Sequence, residues 1–290
     1  MRSPRPWTTT LLSLLVIVAA TALSACGSSN SSSSPATTAD LSSCTPDKLD
    51  THSSGKLTVA TDSPAYPPYF ASNDPTNGRG FESAVAYAIA QKLGFDRSQV
   101  DWTVEPFNAS YAPGSKNFDF DVNEISITPQ RSKEVDFSSP YYTAGQAVVA
   151  LKGSSAASAT SLADLKDANI GVQIGTTSLD AVNNVIQPNN APKVFDNSND
   201  VVTALKEHSV DAVVVDVPTA FYLTQVQVPD AEVVGQFAAP GGDQWGALLQ
   251  KGSSLTACVT AAVDALRQSG ELASLERKWI SDKANAPVIH

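Results

Sequence analysis

A chain of 290 residues with 42% hydrophobic content is long enough to bury a sizeable core, as one large or two ordinary domains. Its formal charge of −10 falls to −12 if a leader carrying Arg2 and Arg5 is removed, which argues against nucleic acid and anionic head groups as partners. A soluble, acidic surface is the simpler use of that charge.

The chain opens on a leader. Arg2 and Arg5 precede an apolar run from Leu11 to Leu23, about 13 residues and short for a bilayer core of about 30 Å. The run ends in Leu23-Ser24-Ala25-Cys26 followed by Gly27, which resembles the lipobox of bacterial lipoproteins. That resemblance implies a signal peptide over 1–25 and acylation of Cys26. It also implies an extracytoplasmic protein held to the membrane by lipid. Residues 26–43, Ser-rich from Ser28, read as a flexible tether. With Cys26 lipidated, Cys44 and Cys258 remain, and in an oxidising compartment they are expected to pair.

The folded part alternates strand and helix signals. Lys56 to Thr61 reads as a strand, and a Pro-rich turn follows over Ser63 to Phe70. Phe81, Val85, Ala88 and Ile89 recur at helical spacing in Phe81 to Leu93, with Gly94 as the stop. Strands are expected at Asp101 to Val104, Asp121 to Ile127, Val135 to Phe137 and Gln146 to Leu151. A second set begins with a short helix at Leu162 to Lys166 and a strand at Ile170 to Ile174. Gly175 opens a helix with Leu179, Val182, Val185 and Ile186 on one face. Then come Lys193 to Phe195, a helix through Val201 to Lys206, a strand at Ala212 to Val215, and a helix from Pro218 to about Gln225. Glu232 to Val234 and Trp245 to Gln250 read as strands around a Pro-Gly-Gly turn at 240–242. Leu255 to Ser269 and Leu272 to Ile280 read as helices. The pattern predicts an α/β fold of two lobes, each a mostly parallel sheet flanked by helices. A ligand site is expected where the carboxyl ends of both sets of strands meet. No internal repeat stands out.

His52, His208 and His290 lack metal-ligand spacing, and no nucleophile elbow, P-loop or dinucleotide fingerprint is present. No metal, cofactor or catalytic set is therefore expected. The partners of a zwitterion are present instead. Arg131 can grip a carboxylate bidentately. Thr176, Thr177 and Ser178 form a helix start after Gly175, where free N–H groups favour an anion. Asp216 stands at a strand end and can pair with an ammonium, and Ser126 offers a hydroxyl. Each also has an ordinary use: Arg131 in a surface ion pair, Thr177 and Asp216 as helix caps.

At these residues the chain resembles family 3 of the bacterial extracellular solute-binding proteins, the amino-acid binders of polar amino acid importers. Leu57 to Asp62 with Tyr66-Pro67-Pro68, and Gly80-Phe81-Glu82, are similar to its opening blocks. Asp121 to Arg131, DVNEISITPQR, with Val135 to Ser138 and Pro140 to Tyr142, is the most specific block. Ser161 to Thr177, Asp211 to Pro218 and Trp245 to Gly252 complete the series. Glu82 stands where Asp is usual, Glu124 where Gly or Ser is usual, and Thr177 where Gly is frequent. Residues 108–118 replace a more regular helix.

The resemblance implies a two-lobed periplasmic-binding-protein-like fold of type II with a two-strand hinge. One lobe would be 44–144 with 239–280, and 145–238 would hold the hinge strands and the other lobe. Arg131 with the N–H groups of Ser126 and Thr177 would hold an α-carboxylate. Asp216, the Glu124 carbonyl and the Ser126 hydroxyl would hold an α-ammonium. Tyr66 and Phe107 would wall the side chain, and Asp62 and Gln173 would face its far end. The implied partners are a free amino acid and the permease subunits of an ABC importer with a cytoplasmic ATPase; the binding protein itself would be a monomer. The acidic groups Asp62 and Glu124 favour a polar or cationic side chain over an acidic or aliphatic one. Two alternatives use the same fold: an exported dehydratase with Glu124 as its acid or base, and a ligand sensor for a receptor.

Overall fold

The structure, a computed structural model, describes residues 40–239, 241–280 and 286–290. The leader, Cys26 and most of the tether lie outside those residues. In chain order the first half runs β1 (Leu57–Thr61), α1 (Phe81–Lys92), β2 (Val100–Val104), α2 (Phe107–Ser110), β3 (Phe120–Asp121), α3 (Arg131–Glu134) and β4 (Val135–Ala144). Then follow β5 (Gln146–Leu151), β6 (Ile170–Gln173), α4 (Thr177–Ala181), β7 (Lys193–Phe195), α5 (Ser198–Lys206), β8 (Ala212–Asp216) and α6 (Val217–Tyr222). The chain ends in β9 (Ala231–Phe237), β10 (Asp243–Gln250), α7 (Thr256–Gln268) and α8 (Glu271–Trp279).

These strands form two five-stranded sheets, ordered β2-β1-β3-β10-β4 and β7-β6-β8-β5-β9. Each has three parallel strands, then one antiparallel strand, then an edge strand antiparallel to that one. The chain therefore builds the same sheet twice without a visible sequence repeat. It passes from the first sheet to the second between β4 and β5, and returns between β9 and β10.

The second sheet shows why its strands read so clearly. Alternate residues of β5 enter opposite cores: Val148 and Ala150 pack with Ile170, Val172 and Val214, whereas Ala147 and Val149 pack with Val201, Leu205 and Val213. A strand covered on both faces is apolar at every position. In the first sheet, α1 lays Phe81, Val85 and Ile89 on a core that includes Leu57, Val59, Phe120 and the fully buried Trp245.

Two boundaries differ from the sequence reading for physical reasons. The strand expected over Asp121 to Ile127 is only β3. Glu124 has φ 51°, a left-handed conformation that breaks a ladder, and Ser126 keeps a single bridge to Trp245. The short strand expected at Val135 to Phe137 runs on to Ala144 through Pro140. Proline is tolerated because β4 is an edge strand and its register shifts against β10 at that point.

Residues 286–290, which the sequence reading left unassigned, join the second sheet. Gln236 N–H donates to the Pro287 carbonyl at 2.7 Å, Ile289 N–H to Gln236 O at 3.0 Å, and Leu162 N–H to His290 O at 3.1 Å. Gly235 makes room for this segment, since a Cβ there would lie 2.6 Å from the Ile289 side chain. The chain thus crosses between the sheets a third time after α8, beyond the two-strand connection expected. Cys44 and Cys258 form a disulfide in the core of the first sheet, with Cα atoms 5.6 Å apart and a sequence separation of 214 residues.

Candidate functional site

The carboxyl ends of the two sheets meet at a cavity of about 420 Å3. β1 delivers Asp62, β6 delivers Gln173 and β8 ends on Asp216. The loop after β3 delivers Asn123, Glu124 and Ser126. Tyr66, Phe107 and Thr177 also line it. Eight of the nine expected contact residues therefore share one cavity; Arg131 alone is not on its wall.

Arg131 is buried behind that wall. Its guanidinium donates to the Ser126 carbonyl at 2.8 Å and to the Gly175 carbonyl at 2.9 Å, one on each sheet's loops. It stacks over Tyr111 at 4.5 Å and lies 5.4 Å from the Phe107 ring. The surface ion pair considered from sequence is absent, and burial lowers its pKa. The role visible here is to fix the two turns that carry Ser126 and Thr177. Gly175 permits this with φ 73°, where a Cβ would run into the Tyr111 hydroxyl.

The ordinary cap readings also fail. The α4 cap is Thr176, whose side chain accepts from Leu179 N–H at 3.1 Å, while Thr177 is the first helical residue. Asp216 occupies the cap position of α6 but makes no side-chain cap bond. It accepts instead from Gln146 Nε2 at 2.6 Å.

Two residues that tie the site together, Asp243 and Gln146, were missed. Asp243 is fully buried and accepts from the Ser126 hydroxyl, from Thr177 Oγ1 at 3.1 Å and from Gln146 Nε2 at 2.5 Å. Ser178 Oγ donates to Gln146 Oε1 at 2.6 Å and completes the network. Asp243 begins β10 directly after the Pro-Gly-Gly turn, so a strand read from Trp245 leaves it in a loop. Its expected signal, an acidic residue where the chain returns to the first sheet, is weak.

The aromatic walls reach across the cleft. The Tyr66 hydroxyl donates to Asn199 Oδ1, and the Tyr66 ring lies 6.2 Å from Tyr222. Tyr69 shares a 2.8 Å hydrogen bond with Thr219. Asp62 Oδ1 accepts from Ser63 N–H at 2.7 Å and Oδ2 from Phe107 N–H at 3.4 Å. Gln173 Oε1 accepts from Ser198 at 2.6 Å.

Electrostatically the wall is one-sided. Asp62, Glu124, Asp196 and Asp216 line it, and no Lys, Arg or His among the described residues does. Burial raises the Asp62 carboxyl pKa. Glu124 is pushed well above the usual range by burial, then by the charges of Glu82 and Asp216. Asp216 rises for the same reason, with Asp243 as its neighbour. Acids held this way are stabilised by an arriving positive charge.

Two sheets closing on a charged cavity, with anion donors and cation acceptors on both sides, define a binder of small polar solutes. The profile of the bacterial extracellular solute-binding proteins, family 3, matches residues 57–282. The arginine-binding extracellular protein ArtP of Bacillus subtilis (strain 168) is 30% identical over 254 residues, 84% of this chain and 94% of that protein. The solved structure of an ancestral arginine-binding protein bound to arginine superposes with TM-score 0.65 at 34% identity, covering 78% of this chain and 98% of the other. The ancestral amino acid-binding protein AncCDT-1, described as a precursor of cyclohexadienyl dehydratase, gives TM-score 0.63 at 28% identity over 78% and 95%. The chain belongs to the bacterial extracellular solute-binding proteins, family 3.

Proposed function

We propose that this protein captures a free amino acid with a polar or cationic side chain outside the cytoplasm and delivers it to the permease of an ABC importer. One observation carries the reading. The partners of a zwitterion stand on both sheets around one cavity: Ser126 and Glu124 on the first, Thr177 and Asp216 on the second. The Ser126 and Thr177 N–H groups hold the carboxylate, and Arg131 fixes the turns that present them. Asp216 and the Glu124 carbonyl take the ammonium. Tyr66 and Phe107 flank the side chain, whose far end meets Asp62 and Gln173. The acidic wall favours a cation or an amide, since a second carboxylate would find no basic residue there. Similar proteins named for binding arginine, one of them also solved with glutamine bound, support that class.

Residues 44–144 with 239–280 form one lobe in this reading, and 145–238 hold the hinge strands and the other. They close on the ligand about the β4–β5 and β9–β10 connections, because the ligand contacts both. The reading is of a binder rather than a dehydratase, because the similar proteins named above are amino-acid-binding proteins.

A melting-temperature screen of the full chain against the common amino acids tests the function. Saturation at a hundredfold excess over Kd adds about 2.7 kcal/mol of stability, so arginine, lysine or glutamine is expected to raise Tm clearly. A shift confined to glutamate or leucine contradicts the side-chain reading; no shift with any amino acid contradicts the function. Membrane attachment through lipid on Cys26 completes the reading. Cys26→Ser is expected to move the protein from the membrane to the soluble fraction, and continued membrane attachment of the variant rules lipid on Cys26 out.

A further inference from the structure

Gln146 and Asp243 begin β5 and β10, the strands that follow the two crossings between the sheets. Both side chains are fully buried, and neither lines the cavity. Antiparallel pairing sets Gln146 opposite Asp216 on β8, and Asp243 opposite Ala144 at the end of β4. Asp243 takes three hydrogen bonds. The Ser126 hydroxyl donates to its Oδ1, while Thr177 Oγ1 and Gln146 Nε2 donate to its Oδ2 at 3.1 and 2.5 Å. The second N–H of the Gln146 amide goes to Asp216 Oδ1 at 2.6 Å, and its Oε1 accepts from the Ser178 hydroxyl at 2.6 Å. One amide thus holds an acid of each sheet, with both of its protons used.

The direction of two protons follows. A hydroxyl carries one proton and two lone pairs. The Ser126 and Thr177 protons are both drawn to the Asp243 carboxylate, a stronger acceptor than a neutral oxygen. The two hydroxyl oxygens lie 3.3 Å from each other, farther than either lies from Asp243. Ser126 and Thr177 line the cavity, so their hydroxyls turn only lone pairs to a solute. An anion in this corner meets repulsion from both oxygens and is left to backbone N–H groups. An ammonium finds two acceptors there beside Asp216.

We propose that Asp243 is a positioning residue for ligand choice: without touching the solute, it points the Ser126 and Thr177 hydroxyl protons away from the cavity and so reserves that corner for an α-ammonium. The inference rests on the amino-acid-binding reading of the cavity. Asp243→Asn reverses one of the two protons. Gln146 and Thr177 both donate, so the new amide oxygen faces them and the amide nitrogen faces Ser126. The Ser126 oxygen then accepts from that nitrogen, and its own proton turns to the cavity. Side-chain size and every hydrogen-bond partner are kept, so the fold is expected to stand, as near-ultraviolet dichroism checks.

Calorimetry on the full chain compares arginine with des-amino arginine and glutamine with des-amino glutamine, hydrogen replacing the α-ammonium in each analogue. Asp243→Asn is expected to weaken the amino acid about tenfold and its analogue less than about twofold, because only the first loses a hydrogen bond from a charged group. In the Ser126→Ala background this selective loss is expected to vanish, since the hydroxyl that carries it is gone. Equal weakening of both members of a pair overturns the proposal, because a merely structural role acts on both. So does a selective loss that survives in Ser126→Ala. Neutron diffraction from deuterated crystals of the unmodified protein reads the same claim directly. The Ser126 and Thr177 hydroxyl deuterons are expected on the lines to Asp243, and either one aimed into the cavity overturns the proposal. Binding of no amino acid by the unmodified protein overturns instead the function on which the proposal rests.

Discussion

Arg131→Ala is expected to weaken every amino acid the protein binds by at least about thirtyfold, a loss of about 2–5 kcal/mol for a buried, hydrogen-bonded charge. The structure gives the loss a definite route. Arg131 spans the two sheets through the carbonyls of Ser126 and Gly175, and its plane is held by Tyr111. Alanine leaves both carbonyls without that donor and empties the space over the ring. The turns that present the Ser126 and Thr177 N–H groups are then free to separate. Arg131→Lys is expected to recover little, because an ammonium cannot hold two carbonyls with a planar fork while stacking on an aromatic face. Calorimetry on both variants, with near-ultraviolet dichroism to confirm the fold, measures this. Unchanged Kd values in Arg131→Ala refute the role.

Removing the disulfide as Cys44→Ala with Cys258→Ala is expected to lower the unfolding free energy by about 2–5 kcal/mol, visible as a lower midpoint in urea. The large figure follows from the loop it closes, 214 residues of sequence separation that the unfolded chain must otherwise bring together by chance. Both cysteines belong to the hydrophobic core of the first sheet, so small apolar replacements leave no buried polar group. Ligand affinity is expected to hold, because both cysteines lie in the core of the first sheet and neither lines the cavity. A midpoint that matches the unmodified protein under oxidising conditions refutes the estimate from loop length.

Much of the architecture was legible because both faces of the central strands are buried. Gln146 to Leu151 and Ala212 to Val215 are apolar runs that no solvent-facing strand would show, and the structure places them side by side. Helices that cover a sheet announce themselves similarly, as Phe81, Val85 and Ile89 did. What stayed hidden depends on single backbone conformations and distant pairings. Ile125 and Ile127 alternate with polar residues as a strand would, yet the left-handed turn at Glu124 converts the segment into a loop that lines the cavity. The strand expected at Val135 to Phe137 continues through Pro140, which only its place on an edge with shifted register makes acceptable. For the site, residues at strand ends were readable one by one. Asp243 and Gln146 were not, since their meaning lies in meeting Thr177 and Asp216 across more than thirty residues of chain.

The segment of residues 286–290 stitched to β9 has a practical consequence. Val288 stands 59% exposed on the second sheet, whereas Ser98 is exposed beside β2 on the first. A donor dye on one and an acceptor on the other would each ride with its own sheet. Because neither position lines the cavity, the labels leave the ligand's contacts alone. The angle between the sheets then sets the efficiency of energy transfer, and the capture of a colourless solute becomes something that can be followed as light in real time.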